Sequence, residues 1–233
     1  MNAKKESYKH ILPHFQQPGQ AYFVTWCLKD SVPPKALERY TRQLEMLRSQ
    51  ITALTGGAIF NRVVSFQRLK IAAPDPEVEN LRIQFYSIRK KYMKAYDDLL
   101  TQNTDRTIDL NKPELSEIIV EALKFWDFNL IENSVWCIMP NHVHWVFKVK
   151  ETDNEGNPVY LQDIMQSVKR QTANQINKAI GRNGKLWQKE SFDTTIRDHK
   201  HLMNAINYTL NNPVAAGFVK DWRDWPGSWY AEG

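Results

Sequence analysis

The chain has 233 residues, of which 42% are apolar and 24% are charged. This composition is close to that of globular domains and excludes disorder as the main state. Lys and Arg total 31 against 26 Asp and Glu, a formal charge of +5. That excess is compatible with a polyanionic partner but is too small to establish one. Two cysteines, Cys27 and Cys137, exclude a disulfide framework and a zinc ribbon, and we expect both to be buried reduced thiols.

The first ten residues contain no apolar signal core. Two long uncharged runs, residues 133–147 and 201–219, carry His, Asn and Pro side chains whose insertion into a membrane is energetically unfavourable. We therefore expect a cytoplasmic protein with no membrane partner. The length favours one domain over residues 1–233.

The first predicted strand, residues 22–28, is aromatic and β-branched. Apolar residues then recur at alternating spacings of three and four over residues 37–54, and again over residues 78–99. These stripes predict two helices packed on each other, joined by a link that holds Gly56, Gly57 and Pro74. We assign residues 35–105 to a helical insertion. The pattern leaves open whether it is an arm or covers the sheet, and whether the stripes pair within the chain or between two copies.

The rest of the chain predicts alternating helices and strands. A helix over 113–129 begins at Pro113, and strands over 135–139 and 142–149 follow it. Next come a helix over 161–180 and a strand within 186–196. The last helix runs from the cap Asp198 to about Asn211, before Pro213. The middle of the chain reads βαββαβ. The predicted fold class is α+β, with a ferredoxin-like or RRM-like antiparallel sheet, helices on one face and the helical insertion.

His142 and His144 lie two residues apart on a predicted strand, so both imidazoles point to one face while Val143 points to the other. Two polar rings in an apolar strand suggest metal ligation, although two hydrogen-bonded surface histidines would give the same pattern. His199 and His201 have the same spacing but begin a predicted helix, where they point about 200° apart. We assign that second pair to solvent.

Tyr208 and Asn212 share one face of the last predicted helix, being four residues apart. Tyr208 lies among small and polar residues rather than aliphatic ones. A lone tyrosine on a helix is nevertheless most often a core residue.

Residues 164–189 hold six basic side chains and no acid. Such a run with an interleaved aromatic ring suits phosphate contacts and base stacking, and it also suits a solvated helix face. The candidate DNA contacts are Lys169, Arg170, Lys178, Arg182, Lys185, Trp187 and Lys189, with Arg197 beyond them.

Taken together, these residues resemble the IS200-like single-tyrosine transposases of the HUH endonuclease superfamily, and most closely the REP-associated tyrosine transposases. The similarity covers about residues 8–30 and 112–230. The motifs are Met139-Pro140-Asn141-His142-Val143-His144, Lys169 with Thr172-Ala173, Leu186-Trp187-Gln188, Phe192-Asp193, Ile196-Arg197-Asp198, Tyr208-Thr209-Leu210-Asn211-Asn212-Pro213-Val214, Ala216-Gly217 and Asp224-Trp225-Pro226.

The resemblance implies a metal-dependent single-stranded DNA endonuclease and strand transferase. Tyr208 would attack a scissile phosphate and form a 5′-phosphotyrosine. His142, His144 and Asn212 would bind Mg²⁺ or Mn²⁺, and the substrate would be DNA flanked by an imperfect-palindrome hairpin. The resemblance leaves both a monomer and a homodimer open.

Two other functions are compatible with the sequence. One is a non-catalytic RRM-like module, a domesticated and inactive transposase that binds nucleic acid without cutting it. The other is a metal-dependent hydrolase built on His142 and His144, which lacks a nearby carboxylate base in the sequence. Retention of both histidines, Tyr208 and Asn212 in the expected order favours the nuclease.

Overall fold

The fold is that of a computed structural model, which describes residues 7–9, 13–29, 31–33, 35–55, 75–102 and 107–231. The predicted link with Gly56, Gly57 and Pro74 lies outside the described residues. The strands are β1 (Ser7–Lys9), β2 (Pro13–Phe15), β3 (Ala21–Cys27), β4 (Ile131–Ile138), β5 (His142–Val149), β6 (Phe192–Thr195) and β7 (Ser228–Tyr230). The helices are α1 (Glu38–Thr55), α2 (Pro76–Gln102), α3 (Pro113–Lys124), α4 (Leu161–Ala179) and α5 (His199–Ala215).

Five strands form one antiparallel sheet in the order β6-β3-β5-β4-β7. Its first four strands have the order of a ferredoxin-like βαββαβ unit, and β7 extends the edge beside β4. The α+β class and the antiparallel sheet predicted from the sequence are therefore confirmed. The hairpin of β4 and β5 turns at Pro140 and Asn141, where the Met139 N–H donates to the His142 carbonyl at 2.8 Å. This hairpin puts β5 at the centre of the sheet.

The two faces of the sheet carry different helices, because successive side chains on a strand point to opposite faces. On one face, α3 and α4 pack against a core that includes Trp26, Val143 and Trp145. On the other face, α5 packs against Phe23 and Val146. The second face, between α5 and the end of α2, is the one that carries the imidazoles.

The helices α1 and α2 pack on each other through their apolar stripes, within one chain. Leu44, Leu47 and Ile51 of α1 are buried in this contact. The same cluster contains Cys27 of β3 and Phe192 of β6, so the last turns of α2 also reach the sheet. Helices α1 and α2 therefore form a helical pair, and α2 also covers part of one sheet face.

Helix α5 runs through Pro213 to Ala215, so the predicted end at about Asn211 was wrong. Pro213 is buried and costs the helix one N–H donor, but Thr209 and Leu210 are buried beside it and hold the turn in place. The cap at Asp198 is confirmed, since its carboxylate accepts from the His201 N–H at 2.7 Å.

Helix α3 ends at Lys124 instead of the predicted Asn129. The chain turns back there, with Phe128 in the left-handed region at φ 60°, and the Ile131 N–H donates to the Trp126 carbonyl at 3.1 Å as β4 begins. Both cysteines are free and buried, as predicted. Among the described helices, none is long and apolar enough to cross a bilayer.

Candidate active site

The two imidazoles lie on the central strand, and both are buried: His142 is 2% exposed and His144 is fully buried. His144 pairs with Thr25 of β3 on one side and with Cys137 of β4 on the other. Val143 packs into the opposite core, so the alternation predicted from the sequence holds.

A continuous chain of hydrogen bonds orients the imidazole pair. The Asn141 amide nitrogen donates to the Leu100 carbonyl at 2.9 Å, so its oxygen accepts from His142 Nδ1 at 2.7 Å. His142 Nε2 then lies 3.0 Å from His144 Nε2. His144 Nδ1 is 2.8 Å from the Thr25 hydroxyl. The outer nitrogens are thus held by neighbours, and the two Nε2 atoms face each other.

Helix α5 places Tyr208 and Asn212 over these rings. The Tyr208 ring meets His144 edge to face, with centroids 5.5 Å apart, and meets Phe23 in the same way at 5.6 Å. The Asn212 side chain lies near both Tyr208 and His144 and influences the pKa of each. Tyr208 remains 39% exposed, so a substrate from solvent can reach its side chain. Tyrosine, amide and imidazole therefore meet within one chain.

Burial shifts the pKa values at this site. It lowers the pKa of His144 to about 3, although the hydrogen bond with Asn212 opposes the shift, so the imidazole is neutral at physiological pH. Burial also raises the pKa of Tyr208 well above its ordinary value, and the negative charge of Asp97 adds to the shift. The phenol consequently needs assistance to lose its proton near pH 7.

Few side chains beside the imidazole pair could act as further metal ligands. In the part of the chain that the structure describes, no three His, Cys, Asp or Glu side chains are grouped so that they could hold an ion. The amide of Asn212 also lies near His144. His199 and His201, the second H-x-H pair, lie in the first turn of α5, where residues two apart point in different directions. His199 is exposed.

Lys169 does not present a free charge to DNA, contrary to the sequence-based hypothesis. Its ammonium donates to the carbonyls of Gln188 and Lys189 at 2.8 and 3.1 Å and to the Ser191 hydroxyl at 3.0 Å. These three bonds use all of its donors. Burial lowers the pKa of Lys169 to about 8. Lys169 therefore fastens the segment before β6 to α4.

Trp187 does not offer a ring for base stacking, and that hypothesis is also corrected. The residue is 6% exposed, and its indole N–H donates to the Thr172 hydroxyl at 2.9 Å. Its ring packs edge to face against Trp26, with centroids 6.1 Å apart. The indole is thus buried in the core between β3 and α4.

Replacing Trp187 by alanine is expected to lower the free energy of unfolding by about 3–5 kcal/mol, because it removes a buried indole and leaves a cavity. Urea unfolding followed by circular dichroism measures this change. The exposed neighbour Lys189→Ala is the control, with an expected change within about 0.5 kcal/mol. Wild-type stability together with weakened DNA binding in Trp187→Ala would restore the stacking hypothesis.

The other basic candidates differ in exposure and position. Arg182 is half-buried and donates to Asn177 and to the Lys185 carbonyl at 3.3 and 3.2 Å, which closes the end of α4. Arg170 and Lys178 are exposed on α4, on the sheet face opposite the imidazoles. Lys185, Lys189 and Arg197 are exposed on connecting segments, and Arg197 comes directly before the cap of α5.

Four further residues shape the site and were not identified from the sequence. Asn141 and Thr25 hold the outer nitrogens of the imidazoles, and Phe23 packs on both His144 and Tyr208. Asp97 of α2 accepts a hydrogen bond from the Tyr208 hydroxyl. Asn141 lies inside the Met139–His144 motif, so its position next to His142 was the available signal. For Asp97 there was none, because it lies on a distant helix.

The chain was compared with protein families, curated proteins and solved structures. The family model described as "Transposase IS200 like" matches residues 99–212. A curated protein of Haemophilus influenzae, named a putative REP-associated tyrosine transposase, is 32% identical over 96 residues, which are 40% of this chain and 54% of that protein. The REP-associated tyrosine transposase of Escherichia coli is 30% identical over 97 residues, which are 42% and 53%.

The chain thus spans about half the length of the curated relatives that it matches. A solved structure of a REP-associated tyrosine transposase bound to a REP hairpin aligns with 92% of this chain and 79% of its own, at 15% identity and a TM-score of 0.41. The family match contains both imidazoles, the tyrosine and Asn212, whereas α1 and most of α2 lie before it.

Proposed function

We propose that this protein, whose residues 99–212 match the family model of IS200-like transposases, is an HUH-type tyrosine transposase that cuts and rejoins single-stranded DNA beside a hairpin. The observation that carries the proposal is the packing of the Tyr208 ring against His144, with Asn212 one turn after Tyr208 on the same helix. A phenol next to paired imidazoles on a central strand is the arrangement expected of a metal-assisted tyrosine nuclease.

The imidazole pair fits a divalent ion, Mn²⁺ or Mg²⁺. Its Nε2 atoms are 3.0 Å apart, so both could contact one ion. Both lone pairs become available if the His144 proton moves to Nδ1, because the Thr25 hydroxyl can accept as well as donate. His142, His144 and Asn212 would hold the ion. Two imidazoles with one amide oxygen suit Mn²⁺ better than Mg²⁺.

Such an ion, when bound, withdraws charge from the oxygens of the scissile phosphate. The nucleophile and its orientation come from side chains of this protein. The Tyr208 oxygen bonds to phosphorus while the bond from phosphorus to the 3′-oxygen breaks, which leaves a 5′-phosphotyrosine and a free 3′-hydroxyl. The covalent link retains the phosphodiester energy, so the strand can be rejoined without ATP. Packing against Phe23 and His144 restricts the phenol to one approach.

The DNA partner is a strand with a hairpin, and its backbone would be held by the exposed cations. Arg197 is the best placed of these, because it precedes α5 on the side of the sheet that carries the imidazoles. Arg170, Lys178, Lys185 and Lys189 supply further positive charge along and after α4. Each phosphate contact of this kind weakens as the salt concentration rises.

Removal of the metal should separate cutting from binding. With Mn²⁺ and a hairpin oligonucleotide labelled at its 3′ end, the label should move to a protein-linked band; with a 5′ label, a shorter free strand should appear. EDTA should abolish both products, while hairpin binding in a gel-shift assay persists. Hairpin binding without either product, over the full range of Mn²⁺ and Mg²⁺ concentrations, would instead identify a non-catalytic nucleic-acid-binding module.

A further inference from the structure

The last turns of α2, which belong to the helical insertion, form part of the candidate active site. The Asp97 carboxylate accepts the hydrogen bond of the Tyr208 hydroxyl. One turn later, the Leu100 carbonyl accepts from Asn141, the residue that orients His142. This helix end therefore contacts both the phenol and the support of the imidazole pair.

Buried contacts fix this helix end on the sheet. The Tyr92 ring stacks on Phe192 of β6, with centroids 6.4 Å apart, and the Tyr96 hydroxyl is 3.0 Å from the Cys27 thiol of β3. Leu100, one turn after Tyr96, is 1% exposed. Tyr92, Tyr96 and Leu100 follow one face of the helix at spacings of four. Asp97 is next to this face and is thereby held toward α5.

The chemistry of cutting needs an acceptor at this position. A phenol that bonds to phosphorus must give up its proton, and a group in contact with its oxygen is best placed to accept that proton. A carboxylate already bonded to the hydroxyl can take that proton directly. Burial raises the pKa of Asp97 to about 6, with the Tyr208 hydrogen bond opposing the shift and Asp98 adding to it. At pH 7 the group is therefore mostly ionised, yet it is more basic than an exposed carboxylate.

We propose that Asp97 is a catalytic residue, the general base that takes the Tyr208 proton as the tyrosine oxygen bonds to phosphorus and the 3′-oxygen leaves. The departing 3′-oxygen takes a proton from solvent. In rejoining, the 3′-hydroxyl loses its proton to solvent, and Asp97 returns its own proton to the released phenol. This inference rests on the proposed function. It adds a residue from the insertion, ahead of the stretch matched by the family model.

The test compares Asp97→Asn, Asp97→Ala and Asp98→Asn in the single-turnover adduct assay with Mn²⁺. Asn keeps a hydrogen-bond acceptor for the Tyr208 hydroxyl but cannot take its proton. Asp97→Asn should therefore slow adduct formation by about 10²–10⁴-fold, while hairpin binding is unchanged. Asp98→Asn, an exposed neighbour, should keep the wild-type rate. Added formate should partly restore the rate of Asp97→Ala, because a small carboxylate can enter the space and accept the proton.

Each contrary outcome has a distinct meaning. A wild-type rate in Asp97→Asn would overturn the base and leave only a hydrogen-bonding role. Faster adduct formation in Asp97→Ala would also overturn it, and would show that the contact restrains the tyrosine. Absence of any adduct in the wild-type protein would instead refute the proposed function, which keeps the two failures apart.

Discussion

Replacing Tyr208 by phenylalanine is expected to abolish the protein–DNA adduct, with a loss of on the order of 10³-fold or more in cutting rate. The substitution removes only the hydroxyl. The ring contacts with Phe23 and His144 can be kept, so the fold should not change. The measurement is the protein-linked band formed by 3′-labelled hairpin DNA, read beside circular dichroism and a gel shift.

Tyr86→Phe is the matched control for this experiment. Tyr86 is also on a helix and is 43% exposed, but it packs beside Phe85 and takes no part in the site. Its variant should form the adduct at the wild-type rate. An adduct at wild-type level in Tyr208→Phe would show that another group attacks the phosphate, and the assignment of the nucleophile would be wrong.

Replacing His142 or His144 by alanine should remove Mn²⁺ binding and reduce cutting by about 10³-fold, while hairpin binding persists. Each substitution leaves a single imidazole, which is too few strong donors beside Asn212 to retain the ion. Isothermal titration with Mn²⁺ measures the first effect, and the adduct assay measures the second. Both rings are buried, so thermal unfolding must show that each variant is folded at the assay temperature.

The second H-x-H pair supplies the control. His199→Ala removes an exposed imidazole at the start of α5 and should change neither Mn²⁺ affinity nor cutting. Unchanged Mn²⁺ affinity in both His142→Ala and His144→Ala would place the ion elsewhere. Loss of hairpin binding in the same variants would indicate that the rings support the DNA interface rather than the chemistry.

Local patterns in the sequence were sufficient for the imidazole pair. Alternation along β5 is a property of any strand, so the spacing of His142 and His144 fixed their common face without knowledge of the rest of the fold. The heptad stripes of α1 and α2 were equally informative, because the apolar side of a helix must be covered. The meeting of Tyr208 with these rings is a long-range contact, and only the resemblance to a family suggested it.

The errors share a physical cause: composition does not show which side chains find partners. Trp187 and Lys169 lie in a basic and amide-rich run, yet the indole bonds to Thr172 and the ammonium to three oxygens on the segment before β6. The expectation that a helix ends before a proline was wrong at Pro213, because burial of the surrounding turn outweighs the loss of one N–H donor. No local pattern indicated the role of Asp97, because its contact with Tyr208 joins residues 111 positions apart in the chain.

The bond from Asn141 to Leu100 has a consequence for engineering. Deleting residues 35–105, or replacing them with an unrelated pair of helices, would remove the Leu100 carbonyl that holds Asn141 against His142. It would also expose Cys27 and Phe192 to water. A chimaera that is meant to keep its chemistry must therefore carry over the closing segment of α2, from Tyr92 to Leu100, whatever replaces the rest of the arm.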